Sequence, residues 1–191
     1  MKVGILRFQG DVREHGHYFK KAGAEVEILN STDRLGDVDA LVIPGGESTT
    51  IGKFIFSEGW DTAIKEFASS GKGIFATCAG LILLSKNVVG NKVSGLGLLD
   101  VQVERNAYGR QRESFEEDVV LSFDREKPFR AVFIRAPKIL GAGSDVEVLA
   151  ELKGNPVLVR ERNILAATFH PELTDDLRIA EFFIKMVKGD R

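Results

Sequence analysis

The chain has 191 residues, 43% of them hydrophobic, which suits one α/β domain with a sizeable core and is too apolar for a disordered chain. Its 26 basic and 28 acidic residues leave a net charge of −2, and without a basic stripe interleaved with aromatics no nucleic-acid partner is expected. The single cysteine rules out an internal disulfide and suits a reducing cytoplasm, and no apolar stretch approaches the length of a membrane span.

Met1-Lys2-Val3-Gly4-Ile5-Leu6 begins like a signal peptide, but Arg7 and Gln9-Gly10-Asp11 cut it short, so Val3 to Phe8 reads as a first buried strand. Val12, His15, Phe19 and Ala22 follow at helical spacing, and Gly23 ends that helix. His15 and His17 read as exposed or half-buried helix positions. Two apart, they do not share a face and make a poor metal pair; with no Cys or His cluster elsewhere, neither metal nor cofactor is expected. Val26 to Leu29 and Ala40 to Ile43 are the next strands, and Pro44-Gly45-Gly46-Glu47-Ser48 is a loop leading into a helix from Thr49. A helix from Trp60 to Ser69 ends at Gly71. The apolar run Gly73 to Ala76, a turn at Cys78 and a helical run from Leu81 to Ser85 follow.

Strand and helix alternate through Ser85, which implies a mainly parallel central sheet with helices on both faces. Reactive groups in such sheets gather beyond the carboxyl ends of the strands, where both the Gly45-Gly46 loop and Cys78 fall. The second half is richer in strands: Leu98 to Arg105, Phe115 to Ser122, Ala131 to Arg135, Val146 to Leu152, Val157 to Arg160 and Ile164 to Phe169. Thr174-Asp175-Asp176 caps a last helix with Leu177, Ala180, Ile184 and Val187 on one face. With no repeat or linker, residues 1–191 read as one domain.

Most lone cysteines are small core hydrophobes, but Cys78 sits in Ala76-Thr77-Cys78-Ala79-Gly80 between a strand and a helix. That is a nucleophile elbow, in which small neighbours leave room for a strained turn. Far downstream, His170-Pro171-Glu172 offers a base and a carboxylate. Pro171 biases His170 toward extended geometry, and two residues apart on an extended segment share a side, so Glu172 is expected to orient the His170 imidazole. Cys, His and Glu together read as an activated thiol enzyme. Gly46, free to adopt an unusual backbone angle, pairs with Ala79 as an expected oxyanion hole built from two backbone N–H groups. Arg105 and Arg135, near strand ends, read either as solvated surface or as forked donors for a substrate carboxylate.

Pro44-Gly45-Gly46-Glu47-Ser48-Thr49-Thr50, the Cys78 elbow, Val103-Glu104-Arg105-Asn106, Phe133-Ile134-Arg135-Ala136-Pro137 and Phe169-His170-Pro171-Glu172-Leu173 resemble class I glutamine amidotransferases. Within that class they resemble the glutaminase subunits of pyridoxal 5'-phosphate synthases, from Lys2 to about Lys188. The resemblance implies the three-layer, flavodoxin-like fold of the class. It implies that Cys78 attacks L-glutamine to form a thioester, that His170 moves protons and that Glu172 orients it. It further implies an oxyanion hole from Gly46 and Ala79, and glutamine binding by Gly46, Glu47, Ser48, Arg105, Ile134 and Arg135. Ammonia would pass through a channel to a synthase (lyase) subunit, arranged as a large ring, on which glutaminase activity depends. Arg7-Phe8 departs from the small or apolar residues usual before Gln-Gly. Two rivals are an elbow-cysteine hydrolase or deglycase, which places an acidic residue beside its thiol, and a catalytically silent regulatory subunit. The downstream His170 and Glu172 disfavour both.

Overall fold

Five parallel strands carry the molecule, and their alternating side chains supply two cores, one on each face. The computed structural model describes residues 1–90, 94–105, 107 and 114–189; Asn106 of the Glu104-Arg105-Asn106 segment lies outside them. In chain order the elements are β1 (Lys2–Leu6), α1 (Val12–Lys21), β2 (Glu25–Leu29), β3 (Ala40–Ile43), α2 (Ser48–Ser57), α3 (Trp60–Ser69), β4 (Gly73–Thr77) and α4 (Ala79–Leu84). There follow β5 (Ser85–Val89), β6 (Leu99–Glu104), β7 (Ser114–Leu121), β8 (Asp124–Ile134), β9 (Lys138–Ala142), β10 (Glu147–Leu152), β11 (Asn155–Glu161), β12 (Ile164–Ala167) and α5 (Arg178–Lys188).

Among the described residues the main sheet runs β10-β11-β12-β4-β3-β1-β2. Its β12-β4-β3-β1-β2 portion is parallel, and β11 and β10 extend it antiparallel. Leu41, Ile43, Ile74, Ala76, Ile164 and Ala166 face one core, shared with Ile51 and Ile55 of α2, Ile64 of α3 and Leu81 to Leu84 of α4. Their neighbours Ala40, Val42, Phe75, Leu165 and Ala167 face the other, with Tyr18 and Phe19 of α1 and Phe183 of α5. The period of two explains why these strands read as continuous apolar runs: both faces are buried. Phe75 shows the consequence, its ring lying 5.6 Å from Phe19 and 5.4 Å from Phe183; burying each such ring contributes about 1.5–3 kcal/mol.

Two smaller sheets close the layers. β5-β6-β9 packs Leu99, Val101, Val103 and Ile139 onto the first core. The ribbon β7-β8 packs Val119, Phe129 and Phe133 onto the second.

The chain leaves β1 for β2 on one side and returns to β3 on the other. That reversal opens a crevice beyond the carboxyl ends of β1 and β3. Phe8, just past β1, packs edge-on against Trp60, with ring centroids 5.5 Å apart.

Several expectations need correction. The helix expected over Leu81–Ser85 is α4, Ala79–Leu84, and Ser85 already begins β5. β5 and β9 were not anticipated, and both are short and only partly buried. A 3₁₀ turn at Thr32–Asp37 was also missed. β12 stops at Ala167, short of Phe169. The α5 N-cap is Leu177, without a side-chain bond; Thr174 and Asp176 organise the preceding turn, Thr174 Oγ1 accepting from Asp176 N–H (3.3 Å) and Asp176 Oδ1 from Arg178 N–H (3.2 Å). No helix of the described residues is long and apolar enough to cross a membrane.

Candidate active site

β4 ends at Thr77 and α4 begins at Ala79, so Cys78 alone makes the turn, at φ 47° and ψ −103°. A non-glycine residue there is strained, and the backbone is pinned by Cys78 N–H donating to Ala167 O (2.9 Å). Gly80 makes the tight elbow feasible, since a Cβ there would meet Ile43 O at 2.2 Å. The Cys78 thiol is nearly buried and donates to Ile134 O at 3.7 Å.

His170 arrives from β12, next to β4 in the sheet, and its N–H donates to Val132 O (2.8 Å). The segment after it is not extended, contrary to expectation: Pro171–Leu173 is a 3₁₀ turn with Pro171 in its first position, where its fixed φ favours the turn. The turn still brings Glu172 back, and His170 Nδ1 lies 2.8 Å from Glu172 Oε1 and 3.1 Å from Asp11 Oδ2. Burial opposes a charge on His170, but Asp11, Cys78 and Glu172 outweigh it and push its pKa up to about 12. Burial likewise opposes ionisation of Glu172, yet His15 and His170 hold its pKa down to about 2. Asp11, His170 and Glu172 have metal-ligand chemistry and lie within 4.8 Å of one another. Their shared point is one ring nitrogen facing two carboxylates, which is an ion-pair arrangement.

A cleft of about 460 Å³ opens over the thiol. Cys78, Ala79, Gly46, Glu47, Ser48, Arg105, Ile134, Arg135 and His170 all line it, so every site residue expected from sequence is there except Glu172, which stands behind the imidazole. Gly46 has φ 145°, a value that side-chain-bearing residues rarely adopt. Glu47 caps α2, accepting from Thr49 N–H (3.0 Å) and Thr50 N–H (2.8 Å). Burial opposes its ionisation, but these donors hold its pKa to about 2. Arg105 donates to Glu47 Oε1 (3.1 Å) and to Thr49 Oγ1 (3.3 Å) across the mouth. Ser48 Oγ is buried with no hydrogen-bond partner among the described residues.

Sequence reasoning missed Asp11, Thr77 and His15. His15, expected to be exposed or half-buried, is fully buried. Its Nε2 lies 3.0 Å from Thr77 Oγ1 and 3.2 Å from Glu172 Oε1. The available signal was its place at helical spacing on the apolar face, between Val12 and Phe19. His17 is exposed, as read from sequence.

The chain matches the SNO glutamine amidotransferase family over residues 5–189. It is 52% identical over 188 residues to the pyridoxal 5'-phosphate synthase subunit PdxT of Thermotoga neapolitana, covering 98% of this chain and 100% of that one. It is 48% identical over 192 residues to the PdxT of Niallia circulans, covering all of both. A crystal structure of a glutamine amidotransferase aligns with a TM-score of 0.92 at 45% identity, covering 97% of this chain and 98% of that one. The three-layer arrangement with its mainly parallel sheet is therefore the class I glutamine amidotransferase fold.

Proposed function

Since this chain belongs to the SNO glutamine amidotransferase family, we propose that it hydrolyses L-glutamine to L-glutamate and ammonia through Cys78, His170 and Glu172. Residues 1–191 act as one glutaminase domain. The reading rests above all on the convergence of Cys78 and His170 in one cleft, with Glu172 bonded to the far side of the imidazole. Sγ passes its proton to His170 and attacks the amide carbon of glutamine, and the carbonyl oxygen becomes an oxyanion facing the backbone at Gly46 and Ala79. Each donor in such a hole is worth about 10²–10³ in rate. His170 delivers a proton to the amide nitrogen, the C–N bond breaks, and ammonia leaves a thioester on Cys78. A water then attacks the thioester, giving a proton to His170; the C–S bond breaks, that proton returns to Sγ, and glutamate leaves. Glu172 holds the imidazole with Nε2 toward the thiol.

The other end of the cleft suits an amino-acid backbone. Arg105 and Arg135 supply donors for the α-carboxylate, Glu47 an acceptor for the α-amine, and Ser48 an uncommitted hydroxyl. Gly46 and Ile134 complete that binding set. The carboxylates Asp11 and Glu172 bond the imidazole and not the thiol, which speaks against the elbow-cysteine hydrolase reading. The relatives are named as subunits of pyridoxal 5'-phosphate synthase, which supports a synthase (lyase) subunit as the consumer of the ammonia; a ring-shaped partner and a cytoplasmic setting belong to the same proposal.

Ammonia release from glutamine, measured with the synthase subunit present, tests the reading. Cys78→Ala should abolish release while leaving the circular-dichroism spectrum unchanged. Equal release from the variant and the parent would sink it.

A further inference from the structure

We propose that His15 is a positioning residue of this site, holding Glu172 at the same oxygen that meets His170 and tying it through Thr77 to the Gly45-Gly46 loop. The inference rests on the Cys78-His170-Glu172 reading above and goes beyond it by adding a second histidine.

Glu172 is a buried carboxylate whose Oε2 has no partner among the described residues. Its polar contacts therefore fall on Oε1, which is hydrogen-bonded to His170 Nδ1 at 2.8 Å and lies 3.2 Å from His15 Nε2. One oxygen receives two imidazoles. A single hydrogen bond would let the carboxylate swing about its own axis; a second polar contact, from another element, restrains it, and with it the imidazole it orients.

The tautomer of His15 follows from its surroundings. Nδ1 is buried and has no partner among the described residues. A buried N–H left unpaired is costlier than an unpaired ring lone pair, so the proton belongs on Nε2, between Thr77 Oγ1 at 3.0 Å and Glu172 Oε1 at 3.2 Å. The ring cannot easily turn away, because it lies between Phe19, stacked at 6.5 Å, and Phe75, edge-on at 6.0 Å. Helix α1 thus presents an immobilised donor to the back of the site.

The same nitrogen lies 3.0 Å from Thr77 Oγ1, and Thr77 Oγ1 accepts from Gly45 N–H at 3.1 Å. Thr77 immediately precedes Cys78, and Gly45 immediately precedes Gly46. One chain of contacts, Glu172–His15–Thr77–Gly45, therefore joins the carboxylate, the elbow strand and the proposed oxyanion loop. Each link comes from a different element, so the network sets the spacing of parts that the catalytic reading needs in register.

The test compares His15→Met, His15→Asn, His15→Gln and Thr77→Val as full chains, each with the synthase subunit. The Gln amide nitrogen can reach the place of Nε2; the Asn amide stops short of Glu172, and Met offers no donor. His15→Met and His15→Asn should lower kcat for ammonia release about 10–100-fold with KM changed less than about threefold, as expected for lost positioning. His15→Gln should recover most of that loss, and Thr77→Val should lower kcat in the same direction. Alkylation of Cys78 by iodoacetamide at neutral pH, which needs no substrate, should slow at least about threefold in the Met and Asn variants and recover in Gln. Should His15→Met fail to fold, the Asn and Gln pair decides by the same criteria. Wild-type kcat and alkylation in folded His15→Asn, or a Gln variant as impaired as Asn, would overturn the proposal. If the parent complex releases no ammonia, the reaction assignment fails, and the alkylation series still decides the role of His15.

Discussion

His170 is surrounded by negative partners. Two carboxylates share its Nδ1, and the outcome is a proton held far above the usual imidazole range, despite burial. The raised pKa favours the ring as a proton carrier, which in the proposed reaction takes the thiol proton and gives it to the departing amide nitrogen. In the proposed reading, substrate selection sits at the other end of the cleft. A charge-assisted hydrogen bond is worth about 1.5–3 kcal/mol, so Arg105→Ala or Arg135→Ala should raise KM for glutamine about tenfold or more with a smaller change in kcat. An unchanged KM in both would remove the arginines from the binding set. The grouping of Cys78, His170 and Glu172 was legible in sequence because thiol, imidazole and carboxylate stand there in short, distinctive motifs. Asp11 and His15 were not: they looked like an ordinary turn acid and helix histidine, and only the packing of the start of α1 against His170 and the end of β4 gives them partners.

The elbow and the two loops beside it depend on close backbone approach. Gly45 has an ordinary backbone angle, yet a Cβ there would lie 2.5 Å from His170 Cε1 and 3.1 Å from Asp11 Oδ2. Gly45→Ala should therefore fold normally but push the imidazole aside; a displacement near 1 Å can cost about 10² in rate. Ammonia release within twofold of the parent would show that the ring has room to spare. The parallel strands were readable from sequence because both faces of each are buried, giving apolar runs such as Ala40 to Ile43. The 3₁₀ turn at Pro171–Leu173 was not, since Pro171 equally permits an extended chain and a tight turn, and the choice is made by Glu172 folding back to two imidazoles. β5 and β9 escaped for a related reason: each is held by pairing to β6 rather than by its own pattern.

Across the whole fold, the buried ion pair should mark the pH dependence of stability. Glu172 titrates at about 2 when folded, against 4.5 as its ordinary value. Its contribution is complete above pH 4.5 and disappears as pH falls toward 2. His170 works in the opposite sense: its raised pKa contributes fully below 6.5 and is lost as pH rises through about 12. The midpoint of thermal unfolding should therefore fall by at least about 5 °C between pH 5 and pH 3. Glu47 and Asp176 have lowered values too, so Glu172→Gln isolates the buried component: the acid slope should flatten in that variant, and an unaltered slope would remove Glu172 as its source. The layered α/β plan was visible in the alternation of strand and helix up to Ser85, whereas the later strands gave no hint of how they would divide among three sheets, because antiparallel partners are chosen by long-range packing. One aromatic contact also gives the molecule an optical sensor. Trp60 is the only tryptophan, and it touches Phe8, which begins the same segment that supplies Asp11 to the site. Its fluorescence therefore reports, without any label, whether that wall shifts when substrate or a neighbouring subunit arrives.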